Sequence, residues 1–279
     1  MLRYAQITVE GRRIAYATEG QGAPLLLLHG ALFDHQLWAP TIPYLIGHFR
    51  VVSLDLPGYG RSQPLDEDSS PDALIRLVAG LMTSLRMVPG FVAGAGMGGG
   101  VALGLAARHP ERVRGLVAVG ALGVERWPGT AQARLARAVR GLPGALALGM
   151  RLAPRGLARW FLRGALGDKQ IADDALVEQI AATLRSRTAR RTLAHTIRDL
   201  DEWRFLMRQL GGIHAPTLLV WGERDGIYGL SAAERLRHAI PGAQLVTLAG
   251  AGHLLTIERP VELAELMRRF LVPLATGKT

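Results

Sequence analysis

The chain is 279 residues long, with 33 basic and 23 acidic side chains and a formal net charge of +10. An apolar content of 49 % supports a large buried core and excludes a chain that is disordered as a whole. The absence of cysteine excludes disulfides, thiolate zinc sites and a cysteine nucleophile, and is compatible with a reducing cytoplasm.

Residues 4–9 and 13–18 predict a β-hairpin that turns at Gly11. Residues 24–28 and 50–56 are near-continuous apolar runs, as strands covered on both faces require, with a short helix expected at 37–45 between them. Residues 71–85 predict a helix with Ser70 as its N-cap and Pro71 in its first turn. A strand is expected at 91–95 and a helix at 97–108, stopped by Pro110. Three more strands are expected at 113–122, 217–221 and 244–248, and the last helices at 231–240 and 260–271. This alternation implies an α/β fold: a mostly parallel twisted sheet of about eight strands with helices on both faces.

Residues 124–210 break the alternation. They read as Ala-, Leu- and Arg-rich helices with breaks at Gly141-Leu142-Pro143-Gly144, at Pro154 and between Gly164 and Gly167. The expected organisation is a core of residues 1–123 and 211–279, with a helical lid at 124–210 lying over the carboxyl edge of the sheet. The last three residues, 277–279, are expected to be disordered. Charge gathers in the same insertion, where residues 125–210 carry +8 of the total +10. A solvated helical face, an arginine-rich composition and contact with an anionic substrate, a membrane surface or an acidic carrier protein are all open readings. Arg134, Arg137, Arg140, Arg151, Arg155, Arg159 and Arg163 are the candidates for such contact.

Open α/β sheets place their sites at the carboxyl ends of strands. Five motifs fall there: His29-Gly30-Ala31-Leu32, Asp55-Leu56-Pro57-Gly58-Tyr59-Gly60-Arg61-Ser62, Gly94-Ala95-Gly96-Met97-Gly98-Gly99, Gly222-Glu223-Arg224-Asp225 and Gly250-Ala251-Gly252-His253. In order and spacing they resemble the α/β-hydrolase superfamily, of the lid-bearing esterase and C–C hydrolase type, over nearly the whole chain. The resemblance implies a nucleophile–acid–histidine triad in that chain order, with Asp225 as the acid and His253 as the general base. It also implies an oxyanion hole from the backbone N–H groups of Met97 and Ala31. The pocket is expected between lid and strand ends, ringed by Ala31, Gly96, Met97 and His253.

One position departs from the family. Its nucleophile elbow reads small-x-nucleophile-x-small; Gly94 and Gly98 supply the flanks, and Gly96 stands where the nucleophile belongs. Glycine has no atom to attack with, and Ser62, Ser69, Ser70 and Ser84 lie in other segments. Three readings stay open: a serine hydrolase inactivated by loss of its serine, a family member using the Asp225–His253 dyad as a general base, and a non-catalytic ligand-binding pseudoenzyme. The expected substrate is a small or medium ester, thioester or comparable carbonyl compound with an apolar body. A fourth reading is of another class, since Gly94-x-Gly96-x-x-Gly99 formally meets the dinucleotide fingerprint. The ribose-binding acid that should end the next strand is missing, the first acid being Glu125.

His29 is expected to be a structural hydrogen-bonder beneath the oxyanion loop. His35, His48, His109, His195, His214 and His238 show no HxH or HExxH spacing, so neither a metal nor a cofactor is expected. Trp38, Trp127, Trp160 and Trp203 are read as packing core and lid, with a role as substrate-pocket walls left open. Aromatics at 6 %, without a zinc-finger or helix-turn-helix pattern, argue against nucleic acid as a partner. No run approaches the roughly 20 apolar residues of a membrane span. The opening residues lack the apolar core of a secretory leader, so a cytoplasmic location is expected. The oligomeric state is not legible.

Overall fold

The chain opens with strands β1 (Arg3–Val9) and β2 (Arg12–Glu19), an antiparallel hairpin closed by Glu10 and Gly11. Both turn residues have positive φ, 49° and 76°, the pairing that lets a two-residue turn match strand twist. The structure, a computed structural model, describes residues 2–65, 70–123, 138, 143–199, 201–203 and 207–277. Strands β3 (Ala23–Leu28), β4 (Phe49–Leu54), β5 (Gly90–Ala95), β6 (Val113–Val119), β7 (Thr217–Gly222) and β8 (Gln244–Leu248) complete the sheet. Its eight strands run in the order β1-β2-β4-β3-β5-β6-β7-β8. Only the β1–β2 and β2–β4 pairs are antiparallel; every pair from β4 onward is parallel. This is the mostly parallel α/β sheet that the pattern predicts.

Helices α1 (Pro71–Ser84) and α2 (Met97–Arg108) follow β4 and β5. Ser70 caps α1 as expected, its Oγ accepting the Ala73 N–H at 3.2 Å. Between β6 and β7 lie α3 (Pro143–Leu152), α4 (Pro154–Ala165), α5 (Asp174–Arg185) and α6 (Arg187–Arg198). Among the described residues of 124–210 there is no strand. Pro154 opens α4 just after α3 ends, the break expected there, and Pro143 opens α3; a first-turn proline gives up an N–H that has no intrahelical partner. Gly141 and Leu142 lie outside the described residues. Helix α7 (Leu230–Ala239) follows β7, and α8 (Leu255–Glu258) and α9 (Pro260–Thr276) follow β8.

Several boundaries differ from expectation, among them β4, which ends at Leu54 rather than residue 56. The helix expected at 37–45 is two 3₁₀ turns, His35–Trp38 and Ile42–Tyr44, because Pro40 and Pro43 withhold N–H groups from a continuous helix. The strand expected at 113–122 ends at Val119. Helix α9 runs past residue 271 to Thr276, and Gly277 ends it at φ 69° instead of joining a disordered tail. Residues 278 and 279 lie outside the described residues.

Alternation along β3 divides the core. Leu26 and Leu28 join one apolar cluster with Leu77, Val101 and Leu105 of α1 and α2; Leu25 and Leu27 join another with Leu263, Met267 and Leu271 of α9. Each such leucine contributes about 1.5–3 kcal/mol on burial. That double covering leaves the carboxyl ends of β3 to β8 as the edge from which loops emerge.

Candidate functional site

At the end of β5 the chain turns sharply through Gly96, at φ 54° and ψ −118°, before α2 begins at Met97. A side chain is rarely tolerated in that backbone region. The turn is tied on both sides. The Gly96 N–H donates to the Val119 carbonyl at 2.9 Å, and the Gly96 carbonyl accepts the Leu122 N–H at 2.8 Å. A Cβ on Gly98 would run into the carbonyls of Leu28 and His29, and one on Gly94 into the carbonyl of Gly98. The small residues two places either side of Gly96 are therefore required by the backbone.

A Cβ placed on Gly96 itself would lie 3.5 Å from the Nε2 of His253 and 3.5 Å from the Cα of Gly30. Three of the five motifs thus converge on this position, and Asp225 brings in a fourth. Its Oδ2 lies 2.9 Å from the Nδ1 of His253. Its Oδ1 accepts the N–H groups of Ile227 and Tyr228 at 2.8 and 3.0 Å. Burial alone would raise this carboxyl, but the charge and hydrogen bond of His253 and the two backbone N–H groups outweigh it and hold Asp225 below the usual carboxylate range. A carboxylate on Nδ1 selects the tautomer whose Nε2 is the basic atom, and that atom faces Gly96.

Met97 opens α2, so its N–H is among the donors that a helix start leaves without an intrahelical acceptor. Ala31 follows Gly30, whose Cα borders the same space. Helix α6 reaches this region as well: the Thr196 hydroxyl donates to the Met97 sulfur at 3.7 Å, and the Thr192 side chain packs against Gly58. His29 is fully buried, donates from Nδ1 to the Gly30 carbonyl at 2.7 Å and accepts the Leu56 N–H on Nε2 at 2.9 Å. Burial pushes its pKa down, so it is a neutral strut, in line with the structural role expected of it. The glycines of the formal dinucleotide fingerprint are accounted for by the elbow.

Two contributors carried no sequence motif. The ring of Tyr228 packs edge-on against His253, centroids 5.2 Å apart. The buried carboxylate of Glu258 accepts three N–H groups, from Gly252 at 3.0 Å, Gly167 at 2.8 Å and Asp168 at 3.2 Å. It therefore ties the loop after α4 to the residue before His253. No spacing pattern in the sequence marks this role, because Glu258 meets Gly167 from 91 residues away.

The other candidates disperse. Trp38 and Trp203 are buried in the core, Trp160 is half-buried, and Trp127 lies outside the described residues. Arg155 pairs with Asp174 and Glu178, and Arg159 with Asp174, so part of the basic charge is met within the chain. Arg151 and Arg163 are exposed, while Arg134, Arg137 and Arg140 lie outside the described residues. Among the described residues, no helix is long and apolar enough to cross a membrane.

The chain is similar to known proteins over most of its length. The chain is 33 % identical over 258 residues to the dihydrolipoyllysine-residue acetyltransferase component of the acetoin cleaving system of Pseudomonas putida; the match covers 90 % of this chain but 64 % of that protein, so this chain spans less than two thirds of its length. It is 31 % identical over 279 residues to a 2-hydroxymuconate semialdehyde hydrolase of Pseudomonas putida, covering 95 % and 93 % of the two chains. Among solved structures it resembles a membrane phospholipase A described as a bacterial virulence factor, with a TM-score of 0.83, 27 % identity and coverage of 98 % and 86 %. The family model described as the alpha/beta hydrolase family matches residues 25–266, and the chain belongs to that family.

Proposed function

We propose that the chain cleaves a small or medium carbonyl substrate, an ester, thioester or related compound, with the His253–Asp225 dyad as general base and no protein nucleophile. The observation that carries this reading is the Nε2 of His253 held against Gly96 while its Nδ1 is bound by Asp225. A base must come within hydrogen-bond reach of the proton it removes, and glycine leaves the nucleophile's space to a water. In the proposed step, Nε2 takes one proton from that water as its oxygen adds to the carbonyl carbon. The carbonyl electron pair moves onto oxygen, which the N–H groups of Met97 and Ala31 stabilise. Collapse of the adduct expels the alkoxide or thiolate, which receives the proton back from His253, leaving acid and alcohol or thiol. A general base supplies about 10²–10⁴ in rate, and an oxyanion donor about 10²–10³.

In this reading residues 124–210 form a lid over residues 1–123 and 211–279. Contacts of Thr196 with Met97 at the elbow and of Thr192 with Gly58 in the loop after β4 support that placement. The exposed arginines Arg151 and Arg163 are the remaining candidates for an anionic group on the substrate or its carrier. The experiment is stopped-flow hydrolysis of p-nitrophenyl esters combined with intact-protein mass spectrometry. Steady turnover without a burst and without an acyl adduct is expected; a stoichiometric burst or adduct would overturn the reading.

A further inference from the structure

The imidazole of His253 is held by a single hydrogen bond, between Nδ1 and the Asp225 carboxylate at 2.9 Å; among the described residues its Nε2 has no hydrogen-bond partner. In a complete triad the nucleophile's hydroxyl gives Nε2 a second bond, and Gly96 has no hydroxyl to give. Rotation about the Cβ–Cγ bond of a histidine is soft, so one bond alone leaves the ring plane loosely set. A base that must meet a proton within hydrogen-bond reach needs that plane fixed. Packing supplies what the missing bond does not.

Only 9 % of the His253 side chain is exposed, and two neighbours close on its ring. Gly120 stands at the Nδ1–Cε1 edge: at φ 48°, a Cβ built on it would lie 3.0 Å from Nδ1 and 3.1 Å from Cε1. The ring of Tyr228 meets the imidazole with centroids 5.2 Å apart and planes at 75°, an edge-to-face arrangement that aromatic pairs favour. Tyr228 is itself pinned. Its N–H donates to Asp225 Oδ1 at 3.0 Å, beside that of Ile227 at 2.8 Å. Ile227 packs on the apolar cluster that includes α9, and Tyr228 on the one that includes α1 and α2, so this loop is anchored in both halves of the core. The main chain of Tyr228 therefore holds the acid while its ring borders the base.

We propose that Tyr228 is a positioning residue for His253. Its ring holds the imidazole in the plane from which Nε2 faces Gly96, and so supplies the restraint that a nucleophile's hydroxyl gives in a complete triad. The ring is the working part. Burial and the charge of Asp225 push the phenol above the ordinary tyrosine range, so it stands beside the base as a neutral group and takes no part in the proton transfer. A leucine at 228 would keep the N–H that Asp225 accepts and the apolar contact with the core, but would offer His253 no ring. This role rests on His253 being the base of the reaction proposed above.

The test compares the wild type with Tyr228→Phe, Tyr228→Leu and the double variant Tyr228→Leu with Gly96→Ser, by NMR of the His253 Nδ1–H and by ester hydrolysis. A low-field Nδ1–H signal is expected in the wild type and in Tyr228→Phe. In Tyr228→Leu it should exchange with water about ten-fold faster, and kcat should fall about ten-fold with KM unchanged. In the Gly96→Ser background a hydroxyl restores the second bond, so the leucine should raise that exchange by no more than about three-fold over Gly96→Ser alone. Should Tyr228→Leu not fold, Tyr228→Met, flexible and without a ring, takes its place. An Nδ1–H as slow to exchange in Tyr228→Leu as in the wild type would overturn the proposal. So would a loss in Tyr228→Phe equal to that in the leucine variant, or an equal effect of the leucine with and without Gly96→Ser. Absence of turnover in the wild type would count against the proposed reaction alone, since the imidazole signals decide on Tyr228.

Discussion

The Nε2 of His253 and the Cβ position of Gly96 are 3.5 Å apart, an ordinary van der Waals contact, so the Cβ of a serine fits at the elbow without moving the base. If the native reaction uses a water there, Gly96→Ser displaces it. Turnover of the native reaction should then fall by at least about 10², the scale of general-base catalysis, while the new hydroxyl becomes reactive towards a fluorophosphonate probe. Higher ester turnover through an acyl-enzyme would instead identify a serine hydrolase that has lost its serine, whose nucleophile is worth about 10⁶ in rate. The same substitution places a side chain at φ 54° and ψ −118°, a strain of about 1–3 kcal/mol, so the melting temperature should drop by several degrees.

Asp225 acts on the reaction only through the ring it holds. Asp225→Asn presents an amide to Nδ1 and favours the wrong tautomer, which in triad enzymes lowers kcat by about 10⁴. In this nucleophile-free site the loss in kcat should not exceed the about 10²–10⁴ that the base supplies, with little change in KM and an unchanged fold by circular dichroism. Equal losses in kcat and KM would assign Asp225 to substrate binding instead.

Glu258 gathers the N–H groups of Gly167, Asp168 and Gly252 on one buried carboxylate. Glu258→Gln turns one acceptor into a donor that faces N–H groups, at a cost of about 1–3 kcal/mol. Hydrogen exchange at Gly167 and Gly252 should accelerate together, and kcat should fall, because the His253 N–H donates to Ala165 in the same tied loop. Exchange confined to one side of the carboxylate would show that the two loops are not coupled through it.

Two buried histidines set opposite slopes on stability. His29 is held low by burial, so between its folded pKa and 6.5 the unfolded chain binds a proton that the folded chain refuses, and stability falls as pH falls. His195, lowered by burial and by Arg198 and Arg191, adds to this acid limb. For His35 the sign reverses. Its raised pKa means the folded chain keeps a proton above 6.5 that the unfolded chain has lost, so stability falls as pH rises. The melting temperature should therefore peak near pH 6.5. His29→Gln should flatten the acid limb and His35→Gln the alkaline one. Asp55 and Asp225, both held low, add a further loss below the carboxylate range. A melting temperature that climbs steadily through neutral pH would contradict this assignment.

What was legible in the sequence is what the backbone dictates locally. Gly94, Gly96 and Gly98 sit where carbonyls or a positive φ exclude larger residues, and Asp225 and His253 sit just past strand ends. Such constraints leave spacing patterns. Glu258 left none, because its role depends on Gly167, 91 residues away, and on packing that periodicity does not encode. The same holds for Tyr228 against His253 and for His35, whose partner Asp55 lies across two strands. The segment 37–45 forms two 3₁₀ turns rather than the expected helix because Pro40 and Pro43 interrupt it.

The most direct test of the central claim is kcat/KM of the wild-type chain beside His253→Ala, measured on one panel of esters and thioesters. The account predicts that the glycine-bearing wild type turns over at least one of these substrates, and that His253→Ala loses about 10²–10⁴ of that rate. A wild type no faster than His253→Ala on every substrate would contradict it.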